Sequence, residues 1–380
     1  MKNDISIYFH IPFCIRKCGY CDFLSVPTSC GEAASQTVID DYVRALKKEL
    51  SCAGKPLKER TVKTVYFGGG TPSLIPSFHI TGIIKRLREM AEFSDLPEIS
   101  IEMNPKTVDE EKILAYMDAG INRFSVGCQS VNDNELKALG RVHDHEDFLK
   151  TMEILKKCGA ENINADIMTG IPYETLGSAK RTLDEISNLG LSHISAYCLI
   201  LEEGTPFFEK GSKKLHLPDE DLEMEIYEYT REFLSKKGYK RYEISNYALP
   251  GRECLHNLVY WDCRDYLGFG AGAASRLRNR RFSNVRNVKS YINAPVNDLC
   301  EDLILSKEDE MTEFMIMGLR KTDGISLEDF FLRFGEDISD VYKETIGKFE
   351  KSGLLICKEG RLFLTERGMD VSNTVLSEFC

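Results

Sequence analysis

The feature that most restricts the fold is an alternation. Short β-rich runs are separated by longer amphipathic stretches and recur about every 30 residues, the length of a strand, a crossover helix and the return to a parallel strand. Six runs read as strands: Ile5–His10, Val62–Phe67, Ile99–Glu102, Phe124–Gln129, Ile163–Ile167 and Ile194–Leu199. Between them, Val38–Leu50, Ile80–Met90, Glu110–Met117, Phe148–Lys157 and Ala179–Leu189 place apolar residues three and four apart, which is helical spacing. Six such units are fewer than the eight of a closed barrel. Residues 1–240 are therefore expected to form an open (β/α)6 partial TIM-type barrel, with a doubly wound parallel sheet as the alternative.

After Leu217-Pro218-Asp219 an acidic helix is expected over Glu220–Lys236. A connecting region, 241–302, follows and holds His256-Asn257-Leu258-Val259-Tyr260-Trp261 and the glycine-rich stretch Gly268-Phe269-Gly270-Ala271-Gly272. From 303 to 380 helices precede two short strands, Leu354–Cys357 and Arg361–Leu364, the outline of a small C-terminal winged-helix-like α+β domain. That segment carries 10 basic and 16 acidic side chains, a net of −6, so it reads as a packing or partner-binding domain rather than a DNA-binding wing.

The whole chain has 49 basic and 60 acidic side chains, and its net charge of −11 disfavours unspecific attraction to nucleic acid or anionic lipid. No apolar run approaches the roughly 18 residues of a membrane span. The first residues, MKNDISIYFH, lack the basic end and apolar core of a signal peptide. A cytoplasmic protein is expected, with no transmembrane segment and no nucleic-acid partner.

Thirteen cysteines without an export signal argue for a reducing compartment rather than a disulfide framework. Cys52, Cys128, Cys158, Cys198, Cys263, Cys300, Cys357 and Cys380 read as small core or surface residues. Cys14, Cys18 and Cys21 differ, because Cys-x3-Cys-x2-Cys sits in the loop after the first strand. Thiolates are the ligands that iron–sulfur clusters require. Three of them leave one iron without a protein ligand, and that open position suits a small molecule chelating through an amino and a carboxylate group, as S-adenosylmethionine does. The alternatives are a closed Cys3His zinc site using His10, and three unligated core thiols.

Active sites of parallel barrels lie at the C-terminal ends of the strands. Here strand two ends in Gly68-Gly69-Gly70-Thr71-Pro72, strand three at Glu102, strand four at Gln129 and strand five at Asp166, with Arg141 in the loop after the fourth. Singly each has a plainer reading: a turn, a helix cap, a surface ion pair. Four consecutive strand ends of this kind, beside a cysteine loop, point to one site.

These residues resemble the radical S-adenosylmethionine superfamily, and within it the branch holding the oxygen-independent coproporphyrinogen III dehydrogenases and the heme chaperones. The resemblance runs nearly the whole chain. It includes Tyr8, six residues before the first cysteine, Cys-x3-Cys-x-Tyr-Cys, the Gly-Gly-Gly-Thr-Pro loop, Gln129-Ser130, Gly170-Ile171-Pro172 and Gly268-x-Gly270. It implies a [4Fe–4S] cluster on Cys14, Cys18 and Cys21, with S-adenosylmethionine bound beside it. The backbone of Gly69 and Gly70, with Thr71, would hold the methionine amino group, Arg141 its carboxylate, and Gln129 and Asp166 the ribose. Glu102 would line the pocket near the sulfonium, and Tyr8 and Tyr20 would pack beside the cluster and adenine.

Two departures separate the branches. The dehydrogenases resemble one another in a further cysteine two positions after the third, where this chain has Phe23, and in an extension before the first strand. The motif from His256 to Trp261 resembles that of the chaperones. The resemblance therefore implies a protein that binds heme, hands it to heme-accepting proteins and receives electrons from a donor. The alternative is oxidative decarboxylation of coproporphyrinogen III. His256 is expected to take part in heme binding, since imidazole is a common axial ligand, although a histidine beside Tyr260 and Trp261 also reads as a packed structural residue.

Overall fold

The computed structural model describes residues 3–28, 35–296 and 298–379, so Cys380 lies outside the described residues. All six expected strands form, and each is parallel to the next: β1 (Asn3–Ile11), β2 (Arg60–Gly69), β3 (Glu92–Met103), β4 (Arg123–Gln129), β5 (Ile163–Thr169) and β6 (His193–Cys198). Strand β3 begins at Glu92 rather than Ile99 because Glu92 and Phe93 pair with Thr61 and Val62 across an irregularity in register. Ser94-Asp95-Leu96-Pro97 carries no alternating pattern that would reveal it.

The helices match the apolar spacing: α1 (Gln36–Cys52), α2 (Ser77–Met90), α3 (Glu110–Asp118), α4 (Asp133–Leu139), α5 (His145–Lys157), α6 (Leu176–Ser187) and α7 (Glu220–Lys236). Side-chain caps set their starts. Asp144 and Asp147 form a reciprocal capping box on α5, and Asp219 accepts from the Leu222 amide of α7.

Side chains alternate across a strand, and this alternation divides the barrel wall into two faces. Ile5, Ile7, Phe9 and Ile11 of β1 are fully buried with Val65 and Phe67 of β2 in the core shared with the helices. The residues between them point inward. Tyr66, Glu102, Ser125, Asp166 and Ser195, from five successive strands, line one cavity. The interior is thus polar while the apolar core lies outside it.

Residues 241–302, expected as a connector, instead extend the barrel sheet at both edges. β7 (Lys240–Arg241) and β8 (Asn246–Ala248) add antiparallel strands beyond β6. β9 (Tyr266–Phe269) pairs parallel with β1 and starts an antiparallel meander of β10 (Ala274–Leu277), β11 (Arg280–Asn284) and β12 (Leu299–Ile304). Among the described residues the sheet has twelve strands in the order β12-β11-β10-β9-β1-β2-β3-β4-β5-β6-β8-β7, so the barrel stays open. An open barrel leaves two edges with unpaired backbone groups, and these additions cover them.

Between β8 and β9 the His-Asn-x-x-Tyr-Trp segment forms a short helix, α8 (Leu255–Trp261), packed against β2. The C-terminal domain holds α9 (Lys307–Gly318), α10 (Leu327–Phe334), α11 (Lys343–Lys351) and a small sheet, β13 (Ile325–Ser326), β14 (Leu355–Lys358) and β15 (Arg361–Leu364), in the order β13-β15-β14. This is the expected winged-helix outline, with its own core around Met315, Phe330 and Leu362. Arg276 pairs with Glu313 and, at 3.4 Å, with Glu310, while Lys321 meets Asp262 at 2.6 Å. The Arg320 guanidinium stacks 4.7 Å from the Trp261 ring, which uses the one tryptophan to seat this domain. Among the described residues no helix is long and apolar enough to cross a membrane.

Candidate cofactor site

A cavity of about 380 Å³ lies at the C-terminal ends of β2 to β6 and is closed on one side by the cysteine loop. Cys14, Cys18 and Cys21 all line it, as do Tyr20, Gly69, Gly70, Thr71, Glu102, Gln129, Arg141 and Asp166. Eleven of the thirteen residues anticipated from sequence therefore converge on one space, drawn from a chain segment of about 150 residues.

The glycine loop builds the floor under the cysteines. The Gly70 amide donates to the Ile11 carbonyl (2.9 Å) and the Thr71 amide to the Phe13 carbonyl (2.8 Å), which ties the cysteine loop to β2. A Cβ on Gly70 would lie 2.8–2.9 Å from Phe13 and Ile11 backbone atoms, so only glycine permits this approach. The Gly69 amide donates to Glu102 Oε2 (3.1 Å) and the Tyr66 hydroxyl to Glu102 Oε1 (2.9 Å). Burial and the nearby Asp166 push the Glu102 carboxyl up to about 7. Asp166 accepts from Asn164 Nδ2 (2.7 Å) and Ser125 Oγ (3.1 Å), and burial raises its pKa as well. Gln129 ends β4 at φ +67°, a left-handed conformation at the point where the register with β5 shifts.

Arg141 lines the cavity beside the cysteine loop. Its Nη2 donates to the Gly127 carbonyl (2.9 Å) and to Asn104 Oδ1, and Nη1 lies 3.7 Å from Cys18 Sγ. A Cβ on Gly127 would fall 2.7 Å from Asn104 Oδ1 and 3.0 Å from Arg141 Nη2, so the glycine makes room for the guanidinium. Arg141 Nε is buried without a hydrogen-bond partner among the described residues. Buried guanidinium donors are rarely left unpaired.

Burial raises the thiol pKa of Cys14, and that of Cys21 to about 11. His10 does not join them. Its Nε2 donates to the Leu24 carbonyl (2.9 Å), and its Nδ1 accepts from the Tyr8 hydroxyl (3.0 Å). Both ring nitrogens are spent, so the Cys3His zinc alternative lacks its fourth ligand. Three thiols on one loop, a cavity beside them and the Arg141 guanidinium lining it fit a three-cysteine cluster with a carboxylate-bearing molecule at its open position.

Two expected residues lie elsewhere. Tyr8 does not line this cavity; it lines a second one, with Asp22, Phe23, Tyr260 and Tyr266. His256 is 1% exposed, with Thr64 Oγ1 at 2.7 Å from Nδ1, the Tyr260 hydroxyl at 2.9 Å from Nε2 and the Tyr66 ring stacked on it at 5.1 Å. Each ring nitrogen thus has a hydroxyl partner, the arrangement of the packed histidine that its place beside Tyr260 and Trp261 also suggested. Sequence reasoning missed Arg123, Ser125, Asn164, Ser195 and Asn257, which also line the cavity. For the strand residues the signal was available: counting back two from Asp166 reaches Asn164, on the same face.

The family model of the radical SAM superfamily matches residues 8–186, and that of the HemN C-terminal domain matches residues 305–371. Fold and cavity thus define a radical S-adenosylmethionine protein, and the superfamily implies a [4Fe–4S] cluster and S-adenosylmethionine. The chain is 35% identical to the heme chaperone HemW of Lactococcus lactis subsp. lactis (strain IL1403), over 100% of this chain and 98% of that one. It is 32% identical to the heme chaperone HemW of Escherichia coli (strain K12), over 99% and 98%. The chain belongs to the heme chaperone HemW family. In fold it is also similar to the coproporphyrinogen III oxidase HemN from Escherichia coli, with a TM-score of 0.86 at 23% identity, covering 100% of this chain and 90% of that one.

Proposed function

We propose that the chain binds heme and passes it to heme-accepting proteins, while holding a [4Fe–4S] cluster on Cys14, Cys18 and Cys21 and S-adenosylmethionine in the adjoining cavity. The observation that carries this reading is full-length similarity to heme chaperones. Phe23 supports it: at the position where the dehydrogenases resemble one another in a further cysteine, this chain lines the cavity with an apolar ring.

In this reading Arg141, which lines the cavity, pairs with the ligand carboxylate, since a guanidinium and a carboxylate form charge-assisted hydrogen bonds. The amides of Gly69, Gly70 and Thr71 are already donating, so a methionine ammonium, itself a donor, would meet the carbonyl oxygens of that loop and Thr71 Oγ1. Gln129 and Asp166 would receive the ribose hydroxyls, Glu102 would stand near the sulfonium and Tyr20 beside the cluster. When bound, the cluster and S-adenosylmethionine together supply reductive cleavage of a carbon–sulfur bond, given an electron donor.

Arg141→Ala and Asp166→Ala should each weaken S-adenosylmethionine binding roughly 10-fold or more, the loss of a charge-assisted hydrogen bond of about 1.5–3 kcal/mol. Iron content should stay near normal. Equilibrium binding beside iron analysis checks this, and unchanged affinity in both variants would misplace the pocket.

The decisive assay incubates reconstituted protein anaerobically with S-adenosylmethionine and reductant, either with coproporphyrinogen III or with heme and an apo-acceptor. Heme transfer without a decarboxylated product is expected. Formation of protoporphyrinogen IX at a catalytic rate would overturn the reading.

A further inference from the structure

Two carboxylates, Glu102 and Asp166, stand in the barrel cavity with uncharged donors around them. Glu102 accepts from the Tyr66 hydroxyl and the Gly69 amide, and Asp166 from Asn164 and Ser125, while Arg123 acts on Asp166 only from farther off. Buried charges are ordinarily paired, so this part of the cavity is short of a positive centre.

Tyr66, which holds Glu102, is itself held by rings. Its phenol is stacked on His256 of α8 at 5.1 Å and 23°, and on Tyr8 of β1 at 6.3 Å and 22°. The hydroxyl of that phenol donates to Glu102 Oε1 at 2.9 Å. A Cβ on Gly68 would come within 3.0 Å of Tyr66 Cε1 and 3.2 Å of Glu102 Oε1, so a glycine makes room for the pair. His256 is fixed in turn by Thr64 and Tyr260. A continuous line of contacts therefore runs from α8 through one phenol to a carboxylate in the cavity.

We propose that Glu102 reads the positive charge of the ligand's sulfonium, that Tyr66 sets the carboxylate for this task, and that His256 is a positioning residue holding Tyr66 from α8. The inference rests on the S-adenosylmethionine reading above and adds the residues that tell a sulfonium from an uncharged thioether. Burial keeps the Tyr66 phenol protonated, and its bond to Glu102 favours the ionised carboxylate. Asp166, Tyr8, Tyr66, Tyr197 and Tyr260 surround Glu102. Burial holds the four phenols protonated, which leaves Asp166 as the charged neighbour opposing ionisation. Burial and Asp166 raise the Glu102 carboxyl to about 7, so it is largely protonated below that pH and ionised above it. Affinity for a sulfonium should therefore rise as pH passes upward through about 7 and then level off, whereas a thioether gains nothing from the added charge.

The test titrates cluster-loaded protein, at equal iron content, with S-adenosylmethionine and with S-adenosylhomocysteine, which lacks the methyl group and the positive charge. The readout is the ratio of the two affinities against pH. In wild type it should rise about 10-fold from about pH 6 to about pH 8, the range of a carboxyl that titrates near 7. Glu102→Gln should flatten this rise, and any slope it keeps belongs to the ligands. Tyr66→Phe removes one bond to the carboxylate and should move the midpoint up by about one pH unit, lowering the ratio at neutral pH about fivefold. His256→Ala should lower it about threefold or more, the worth of a stacked ring pair, and His256→Phe, which keeps a ring beside Tyr66, should return it to within about twofold of wild type. His256→Gln keeps a donor and an acceptor but no ring, and should behave as alanine does. A loss of packing alone would weaken both ligands alike and leave the ratio unchanged.

A ratio profile that is the same in wild type and Glu102→Gln, with S-adenosylmethionine still bound by both, would overturn the inference and leave the S-adenosylmethionine reading intact. An unchanged profile in Tyr66→Phe would remove Tyr66 from it, and unchanged profiles in both His256→Ala and His256→Gln would remove His256. Cluster-loaded wild-type protein that binds neither nucleoside would overturn the S-adenosylmethionine reading and this inference with it.

Discussion

Replacing any one of Cys14, Cys18 and Cys21 with alanine is expected to bring iron and acid-labile sulfide, measured after anaerobic reconstitution, close to background. With three protein thiolates a cubane cluster already has one iron without a protein ligand, and a second such iron would leave half its corners to small molecules. Burial compounds the loss. The Cys14 thiol is 9% exposed and, like Cys21, has its pKa pushed up, so in the cluster-free protein both thiols stay protonated near neutral pH. Iron must displace those protons, and binding is favoured only if all three ligands act together. Cys158→Ala, on the far end of α5, should retain full iron, which separates ligation from a general effect of removing thiols. Wild-type protein that yields zinc and no sulfide would reject the cluster.

The second large effect is expected at Glu98→Ala, which should destabilise the cluster-free protein by about 3–5 kcal/mol, the cost of breaking a buried charged network. Glu98 sits on β3 and is 7% exposed, yet it caps a helix from another part of the chain. Its carboxylate accepts from the amides of Leu255 (3.1 Å) and His256 (3.0 Å) at the start of α8, whose own N-cap residue, Cys254, makes no side-chain cap. Alanine would leave these amides without an acceptor and the buried Arg123 beside them without its nearby negative charge. Urea denaturation of wild type, Glu98→Ala and Glu98→Gln checks the origin. The amide oxygen of glutamine can still accept one bond, so it should recover part of the loss. Equal midpoints for wild type and Glu98→Ala would show that α8 is held by its apolar contacts alone.

How much was legible differs between the wall of the barrel and its inside. Strands β1 to β6 and the helices between them follow from periodicity within a few residues, because a strand that buries one face and a helix that buries a stripe must each repeat at a set interval. The strand-end residues were legible for the same reason: parallel connectivity brings all C-terminal ends to one side. The surroundings of Tyr8 were not legible, because nothing near residue 8 reveals that β9, some 260 residues away, lies beside β1. The partners of His256 were hidden for a similar reason. As a histidine between a cysteine and a tyrosine it looks available, whereas Thr64 and Tyr66, nearly 200 residues earlier, occupy one nitrogen and one ring face.

The sequence by itself determined the strand–helix order, the three-cysteine loop, the glycine turn under it and the family to which the chain belongs. These depend on spacing along the chain, which side-chain periodicity and backbone sterics impose locally. Only the tertiary structure decided which cavity each inward residue faces, that residues 241–302 complete the sheet instead of linking domains, and that the imidazole of His256 serves a neighbouring phenol. Those outcomes depend on pairing between strands far apart in the chain and on hydrogen bonds whose partners are brought together only when the barrel forms.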